Sequence, residues 1–158
     1  MLKLKIRFYF LILLVTCTYS CTVSRQYKTA LTTFEIGEYS KSITSLRKAY
    51  TKIKDREKKS LIQFKIAEAN YKIGQYRSAE SYFKSAMIRN SGGTVSWLHY
   101  AEVLRANGKY EEAIKNYKAY LDSFPTDRLA LNGIESSEKT EEWLKIPSRY
   151  QIENLKDI

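Results

Sequence analysis

The side chains that could perform catalysis or hold a metal ion are few in this chain of 158 residues. His99 is the only histidine, and the two cysteines, Cys17 and Cys21, both lie near the start. The rest of the chain therefore offers no thiol nucleophile, no disulfide and no Cys/His metal site. It also has no glycine-rich phosphate loop and no nucleophile elbow. The sequence predicts that the protein is not an enzyme and uses no metal or cofactor, and it disfavours the alternative of an enzyme or solute-binding protein.

The chain begins with the three parts of a secretory signal. A basic start at 1–7 is followed by an apolar run at 8–15 and by the small residue Ser20 directly before Cys21. The apolar run is shorter than the roughly 20 residues that a membrane-spanning helix needs. We therefore expect residues 1–20 to be a signal peptide rather than a retained membrane anchor.

The segment that ends in Cys21 resembles the lipobox of bacterial lipoproteins, in which a small residue precedes a cysteine that becomes lipidated. Thr18 stands where that motif usually has Leu, so the match is partial. The alternatives are lipidation at Cys17, which follows the less suitable Thr16, and a plain secretory signal with an incidental cysteine. The resemblance implies a lipid on Cys21. Thr22 rather than Asp follows the cysteine, which favours a location at the periplasmic face of the outer membrane.

A Gly-x-Tyr triplet occurs three times in the remaining sequence, at 37–39, 74–76 and 108–110. An alanine precedes each glycine by seven residues, and small residues, aromatic residues or leucine follow each tyrosine at fixed positions. Apolar residues recur at three-to-four spacing on both sides of the glycine, which predicts two amphipathic helices in each copy. Since a single helix pair cannot bury its apolar face alone, the copies must stack.

These residues closely resemble the tetratricopeptide repeat, and Trp97 and Pro125 complete the third and strongest copy. The resemblance implies an all-α fold, a helix-turn-helix solenoid of about three repeats within residues 21–125, with a capping helix at 126–141 and an extended tail or linker at 142–158. The repeats are expected at 24–56, 59–91 and 94–125. Their helices are expected at 24–36, 40–53, 59–73, 77–89, 94–107 and 111–123, and the capping helix at 126–140.

The concave face of such a solenoid is the expected binding groove for a protein partner. The side chains that the repeat places there combine aromatic with charged groups, which suits peptide or protein recognition. The alternative for Phe34, Phe64 and Tyr71 is that their rings pack between repeats. The mapped groove residues are Tyr27, Lys28, Phe34, Phe64, Lys65, Glu68, Tyr71, Lys72, Leu98, His99, Glu102 and Arg105.

Some tetratricopeptide domains clamp the C-terminal carboxylate of chaperones with Lys and Asn side chains on the first helix of each repeat. At the corresponding positions this chain has Lys65 but otherwise Tyr27, Leu31, Val95 and His99. Chaperone C-termini are therefore not the expected partners.

The tail changes character because Pro147 prevents a helix from continuing. We expect its apolar residues Trp143, Tyr150, Ile152 and Leu155 to dock on a partner or a following domain. The alternative is that Trp143 and Tyr150 only seal the last helix.

The spacing W-x3-P-x2-Y-x-I-x-N-L in this tail resembles a junction in the PorE-like, OmpA-family envelope proteins of Bacteroidota, which belong to the type IX secretion and gliding apparatus. The β-propeller and OmpA-like domain of that family are absent from this sequence, so we expect either a short relative or a fragment. The resemblance implies a lipid-anchored, non-catalytic scaffold whose partners are other envelope proteins. The alternative is an adaptor for peptidoglycan enzymes or for outer-membrane protein assembly.

The charge of the chain does not indicate nucleic-acid binding. The formal charge is +10, and removal of the signal peptide leaves 24 basic and 17 acidic residues, a net charge of +7. These charges are interspersed, and no basic arm or recognition motif accompanies them. We expect neither a nucleic-acid partner nor a small-molecule substrate.

Replacing Cys21 by Ser tests the lipid anchor. Without the thiol there is no attachment point for the lipid, so the variant should incorporate no labelled palmitate and should leave the membrane fraction. Cys17→Ser is the matched control and should remain lipidated. A Cys21→Ser chain that stays with the membrane after a carbonate wash would contradict the prediction.

Overall fold

The computed structural model describes residues 25–146, and in this part the chain forms seven α-helices and no strand. The first helix, α1, occupies 25–35 of the described residues. It is followed by α2 (Tyr39–Lys52), α3 (Arg56–Lys72), α4 (Tyr76–Met87), α5 (Val95–Ala106), α6 (Tyr110–Leu121) and α7 (Arg128–Leu144). The all-α prediction is confirmed.

The helices form a linear stack. From α2 to α7, each helix packs on the next one along the chain. In addition, α3 contacts α5 and α5 contacts α7, so the alternate helices lie side by side on one face. This is the arrangement of a solenoid, in which each repeat contacts mainly its neighbours. No helix within residues 25–146 is long and apolar enough to cross a membrane.

The recurring alanines lie in the core of the stack. Ala30, Ala67 and Ala101, which stand at equivalent positions in the three repeats, are all fully buried. Larger side chains fill the space around them in two clusters: one is built around Leu46 and Ile62, and the other around Phe83 and Tyr117, among others. Small residues thus lie at the buried helix contacts and large residues fill the remaining space, as the repeat pattern predicts.

The helices α1, α3 and α5 end in the same way, each at a glycine. In α3, Gly74 has a φ of +74°, its N–H donates to the Tyr71 carbonyl at 3.1 Å, and the next N–H donates to the Asn70 carbonyl at 2.9 Å. This is a Schellman motif, which favours glycine because of the left-handed backbone. The same pair of hydrogen bonds recurs at Gly37 and Gly108, so the three copies share one register.

Two aspartates set helix starts that the predictions missed by a few residues. The Asp55 carboxylate accepts the N–H groups of Glu57 and Lys58 at 2.9 and 3.3 Å, and α3 therefore begins at Arg56 rather than at 59. Asp127 caps α7 in the same way, and that helix begins two residues later than predicted.

The last helix also ends later than predicted. It continues to Leu144, so residues 142–144, which were expected in the extended tail, are helical. The physical reason is that Pro147 restricts chiefly the residue directly before it and leaves the earlier turn free to form. Trp143 lies on this last turn and is 66% exposed. The predictions for Cys21, Tyr150, Ile152 and Leu155 fall outside the described residues.

Gly133 in α7 permits the close packing of the capping helix. A Cβ atom added there would lie 2.4 Å from Cζ of Tyr117, and the Tyr117 side chain is itself fully buried. The ring therefore has no room to retreat, and the position needs a residue without a side chain.

We expect Gly133→Ala to lower the melting temperature. Alanine is normally better than glycine in a helix by about 0.5–1 kcal/mol, but here overpacking against Tyr117 should cost about 1–3 kcal/mol. Thermal unfolding followed by circular dichroism checks the sign. Asn132→Ala, at the exposed neighbouring position, is the matched control and should be neutral or stabilising. A Gly133→Ala variant as stable as the control would rule out the tight contact.

Candidate functional site

A row of side chains crosses the face formed by the odd-numbered helices. At one end, Lys65 Nζ of α3 lies 4.8 Å from the ring centroid of Phe34 in α1. At the other, the rings of Tyr71 in α3 and His99 in α5 stack with their centroids 5.5 Å apart and an angle of 19° between the planes. These two contacts join three helices into one surface, which we call the groove.

An ion pair occupies the middle of the groove. Lys65 Nζ lies 2.7 Å from Glu68 Oε2, one turn along the same helix. The other oxygen of Glu68 lies 3.7 Å from His99 Nδ1, which is too long for a hydrogen bond. His99 Nδ1 is buried and has no hydrogen-bond partner among the described residues. The imidazole therefore lies beside a carboxylate without being held by it.

A second carboxylate lies deeper in the same face. The Tyr71 hydroxyl donates a hydrogen bond to the carboxylate of Glu102, a residue that is 9% exposed. Burial, and then this hydrogen bond, raise the pKa of Tyr71. Nearby, Arg105 Nε donates to the Tyr117 hydroxyl at 3.3 Å, and this bond raises the pKa of the guanidinium. The polar groups of α5 are thus held in place by partners on α3 and α6.

His99 is kept neutral by its surroundings. Burial lowers the pKa of His99 because the charged form loses hydration, and the charges of Lys72 and Lys65 lower it further. Glu68 and Glu102 act in the opposite direction and offset part of this shift. The stacked His99–Tyr71 pair is therefore an uncharged aromatic surface at neutral pH, with cations beside it.

The structure brings together most of the predicted groove residues. Lys65, Glu68 and Tyr71 of α3 lie against His99 and Glu102 of α5, as the contacts above show. The cations that remain open to solvent are Lys28, Lys72 and Arg105. Whether these residues bind a partner stays a prediction.

Two predicted groove residues lie in the hydrophobic core instead. Phe64 and Leu98 are each 7% exposed, so neither ring nor isobutyl group offers surface to a partner. Phe64 packs edge-on against Phe83, and its ring fills the space beside Gly92, where an added Cβ would lie 2.3 Å away. Phe64 is thus a core residue that contacts its own helix pair and the turn after it. The alternative of packing between repeats stays a prediction.

Tyr27 and Phe34 are half-buried and pack against the N-terminal core cluster, so each presents only part of its ring to the groove. Phe83 was not among the predicted site residues, yet its ring lies 6.2 Å from that of His99 and supports it from α4. The aromatic position of the repeat, four residues after Ala79, was the signal that could have located this support. Within residues 25–146, no three His, Cys, Asp or Glu side chains are grouped so that they could hold a metal ion.

Comparison with known proteins identifies the fold. A tetratricopeptide-repeat family model matches residues 94–134, which correspond to α5, α6 and the first part of α7. No curated protein sequence matches the chain. The described residues therefore form an all-α helical-repeat fold that contains a recognisable tetratricopeptide repeat.

Solved structures with this fold are similar over three quarters of the chain. The crystal structure of MamA protein aligns with a TM-score of 0.66 and 19% identity, over 76% of this chain but only 64% of MamA. The first tetratricopeptide domain of Spaghetti (RPAP3), bound to an HSP90 peptide, aligns at 0.65 and 21% over 76% of this chain and 93% of its own. The Yersinia enterocolitica type III secretion chaperone SycD, bound to a peptide of the translocator YopD, aligns at 0.62 and 15% over 76% and 95%. These TM-scores establish a shared fold, and identities this low show nothing beyond it.

The lowered pKa of His99 predicts how the free energy of unfolding depends on pH. Its pKa in the folded protein lies below the ordinary value of 6.5, so the unfolded chain binds the proton more readily. The stability that the neutral imidazole contributes is present above pH 6.5 and is lost as the pH falls through that value towards the folded pKa. The unfolding midpoint should therefore fall on acidification across this window, and less steeply in His99→Gln.

NMR titration of His99, the only histidine, measures the pKa directly. In Glu68→Gln the pKa should fall further, because the carboxylate that favours the charged ring is gone. A wild-type pKa above 6.5 would contradict the buried environment described here.

Proposed function

We propose that this protein is a non-catalytic scaffold that binds an extended segment of another protein along the groove. The observation that carries the proposal is the row of side chains from Phe34 through Lys65 and Glu68 to the stacked Tyr71 and His99. Such a row offers aromatic surface, hydrogen-bonding groups and charge in one line, which suits a peptide better than a compact small molecule.

The charges of the groove favour a segment that carries acidic side chains. Glu68 is paired with Lys65, and Glu102 accepts the Tyr71 hydroxyl, so both carboxylates are already satisfied within the protein. Lys72 is exposed and has no ion-pair partner among the described residues. Its Nζ lies 5.8 Å from the Tyr71 ring centroid, at the edge of the aromatic pair. A carboxylate on the partner would meet this cation while an adjacent apolar group lies over the rings.

Two of the similar structures support a peptide-binding role by analogy. The RPAP3 domain and SycD are both described with a bound peptide of another protein. In this chain, the positions that hold a chaperone carboxylate in some tetratricopeptide domains lack the needed Asn side chains, as the sequence already indicated. The proposed ligand is therefore an internal acidic and apolar segment rather than a chaperone C-terminus.

We further propose that Cys21 carries a lipid and holds the scaffold at the periplasmic face of the outer membrane, where it joins an envelope assembly of the type IX secretion kind. The support is the resemblance of the signal segment to a lipobox and of the tail to the PorE-like junction. An adaptor for peptidoglycan enzymes or for outer-membrane protein assembly is the second candidate, since the same repeats and anchor would serve it.

The end of α7 offers a second contact surface for such an assembly. Trp143, Leu144 and Ile146 are 66%, 71% and 61% exposed, which is unusual for three large apolar residues within one turn. The apolar residues Tyr150, Ile152 and Leu155 follow in the sequence. We propose that residues 143–158 dock together on a partner or on a following domain.

The charge reversal Lys72→Glu tests the groove. It adds a negative charge beside the aromatic pair at an exposed position, so it should repel an acidic segment without disturbing the fold. Lys115→Glu is the matched control, because Lys115 is exposed on the even-numbered helix α6. In pull-downs from membranes, the first variant should recover at least roughly tenfold less of the partner than wild type, the loss for about 1.4 kcal/mol of binding free energy. The control should recover the partner fully.

Equal recovery by Lys72→Glu and Lys115→Glu would show that the groove is not the binding surface. The identity of the recovered proteins then decides between the two assemblies. Secretion components support the first, and cell-wall synthases without secretion components would overturn it in favour of the adaptor.

A further inference from the structure

The positive charge of the described residues is concentrated at their N-terminal end. Residues 25–59 contain ten basic and four acidic side chains, whereas residues 60–146 contain twelve and eleven. The first repeat and the start of α3 therefore carry nearly all of the net charge. Neither the repeat fold nor the groove requires this asymmetry.

Six of these cations lie along one edge of the stack, where α1 begins, α2 ends and α3 begins. We call this surface the basic edge. Contacts between the three helices hold it together: Lys52 Nζ lies 3.2 Å from Gln26 Oε1 of α1, and Lys59 Nζ lies 5.0 Å from the Tyr50 ring centroid of α2. All six side chains are exposed. They are Arg25, Lys48, Lys52, Lys54, Arg56 and Lys58.

The basic edge is largely unneutralised. Among the described residues, the only ion pair that involves it joins Lys58 to Asp55 at 3.8 Å. One oxygen of that carboxylate accepts two backbone N–H groups as the cap of α3 and the other faces Lys58, so both are already engaged. Side chains of one sign on a single surface repel one another, and an anionic partner relieves this repulsion.

A cleft of about 370 Å³ opens between α1 and α2 at this edge. Its lining contains two cations, an amide and two hydroxyl groups, and no carboxylate: Arg25, Gln26, Thr29, Ser45 and Lys48. The guanidinium and ammonium groups are the usual partners of phosphate oxygens, and the Ser45 hydroxyl adds a further donor. Arg25, Lys48 and Ser45 supply the polar groups for a phosphate-bearing headgroup, and the aliphatic parts of the lining side chains form most of the wall.

We propose that the basic edge binds the surface of an anionic phospholipid membrane and that the cleft receives a headgroup phosphate. Six cations along an edge exceed what a single phosphate ion can neutralise, and a membrane presents many phosphates in a plane. The choice of a membrane over a soluble anion rests on the proposed lipid at Cys21. Arg25 is four positions after Cys21 in the sequence, so the two residues are at most about 14 Å apart. The basic edge is thereby kept near the membrane, and its cations attract lipid headgroups that come within the screening length of about 8 Å.

This contact would orient the scaffold. A lipid alone tethers the chain and leaves its direction free, whereas a second, electrostatic contact fixes one edge against the surface. The first repeat would then lie on the membrane, and α5, α6 and α7 would extend toward partners.

Co-sedimentation with vesicles tests the proposal without the lipid anchor. The probe is the unlipidated chain 22–158, which contains every described helix, mixed with vesicles of phosphatidylglycerol and phosphatidylcholine or of phosphatidylcholine alone. We expect the chain to bind the vesicles that contain phosphatidylglycerol and not those of phosphatidylcholine alone. Binding should be lost at high salt. Arg25→Gln/Lys48→Gln should lower the partition coefficient by roughly 10- to 30-fold, since each cation near an anionic surface contributes about fivefold. Because no lipid is attached, a failure of the Cys21 prediction would leave this result unaffected.

The matched control is Lys115→Gln/Lys118→Gln, which removes the same charge from exposed positions of α6. It should change the partition coefficient far less, and Arg25→Lys/Lys48→Arg should retain binding. Equal losses in the two Gln variants would mean that only net charge matters and would overturn the proposal. Absence of binding to the phosphatidylglycerol vesicles would also overturn it. The same holds if inorganic phosphate raises the melting temperature while the chain does not bind the vesicles.

Discussion

The close approach of helices at fully buried small residues is the constraint on which the rest of the structure depends. Ala67 and Ala101 let consecutive helices pack closely, and Gly133 does the same for α7 against the ring of Tyr117. Because these contacts leave little freedom to slide, each helix pair repeats the position of the previous one. The odd-numbered helices consequently share a face, and Tyr71 of one repeat meets His99 of the next at stacking distance. The groove is thus a product of the core packing.

The polar surfaces follow from what this packing buries. In the groove, partial burial makes unpaired charge costly, and the carboxylates of Glu68 and Glu102 are accordingly matched by Lys65 and the Tyr71 hydroxyl. At the basic edge, where helix ends meet solvent, charge carries no such penalty and cations accumulate with few partners. The two surfaces therefore differ in character. The groove is an aromatic strip with few free charges, suited to selecting a protein segment, and the basic edge is an electrostatic surface, suited to a membrane.

The repeat pattern predicted the fold well because its glycines and alanines have strict steric roles. The three Gly-x-Tyr triplets located every turn between paired helices, and the structure places a left-handed glycine at each one. The predictions failed where single residues act outside the repeat. Asp55 moved a helix start through its side-chain cap, and α7 continued past its expected end. In the groove, helical spacing alone could not separate Phe64 from Lys65, since burial depends on Gly92 in a distant loop. The clustering of cations at the basic edge also needed the three-dimensional arrangement of three helix ends.

The central claim is that the face of the odd-numbered helices contacts a partner protein while the even-numbered helices do not. Site-specific photocrosslinking in cells measures this most directly, with a benzophenone amino acid in place of Lys72 on α3 or of Lys115 on α6. Both positions are exposed, so the probe should be tolerated equally. We expect a discrete crosslinked protein from position 72 and none from position 115. The same crosslinked product from both positions, or a product from position 115 alone, would contradict it.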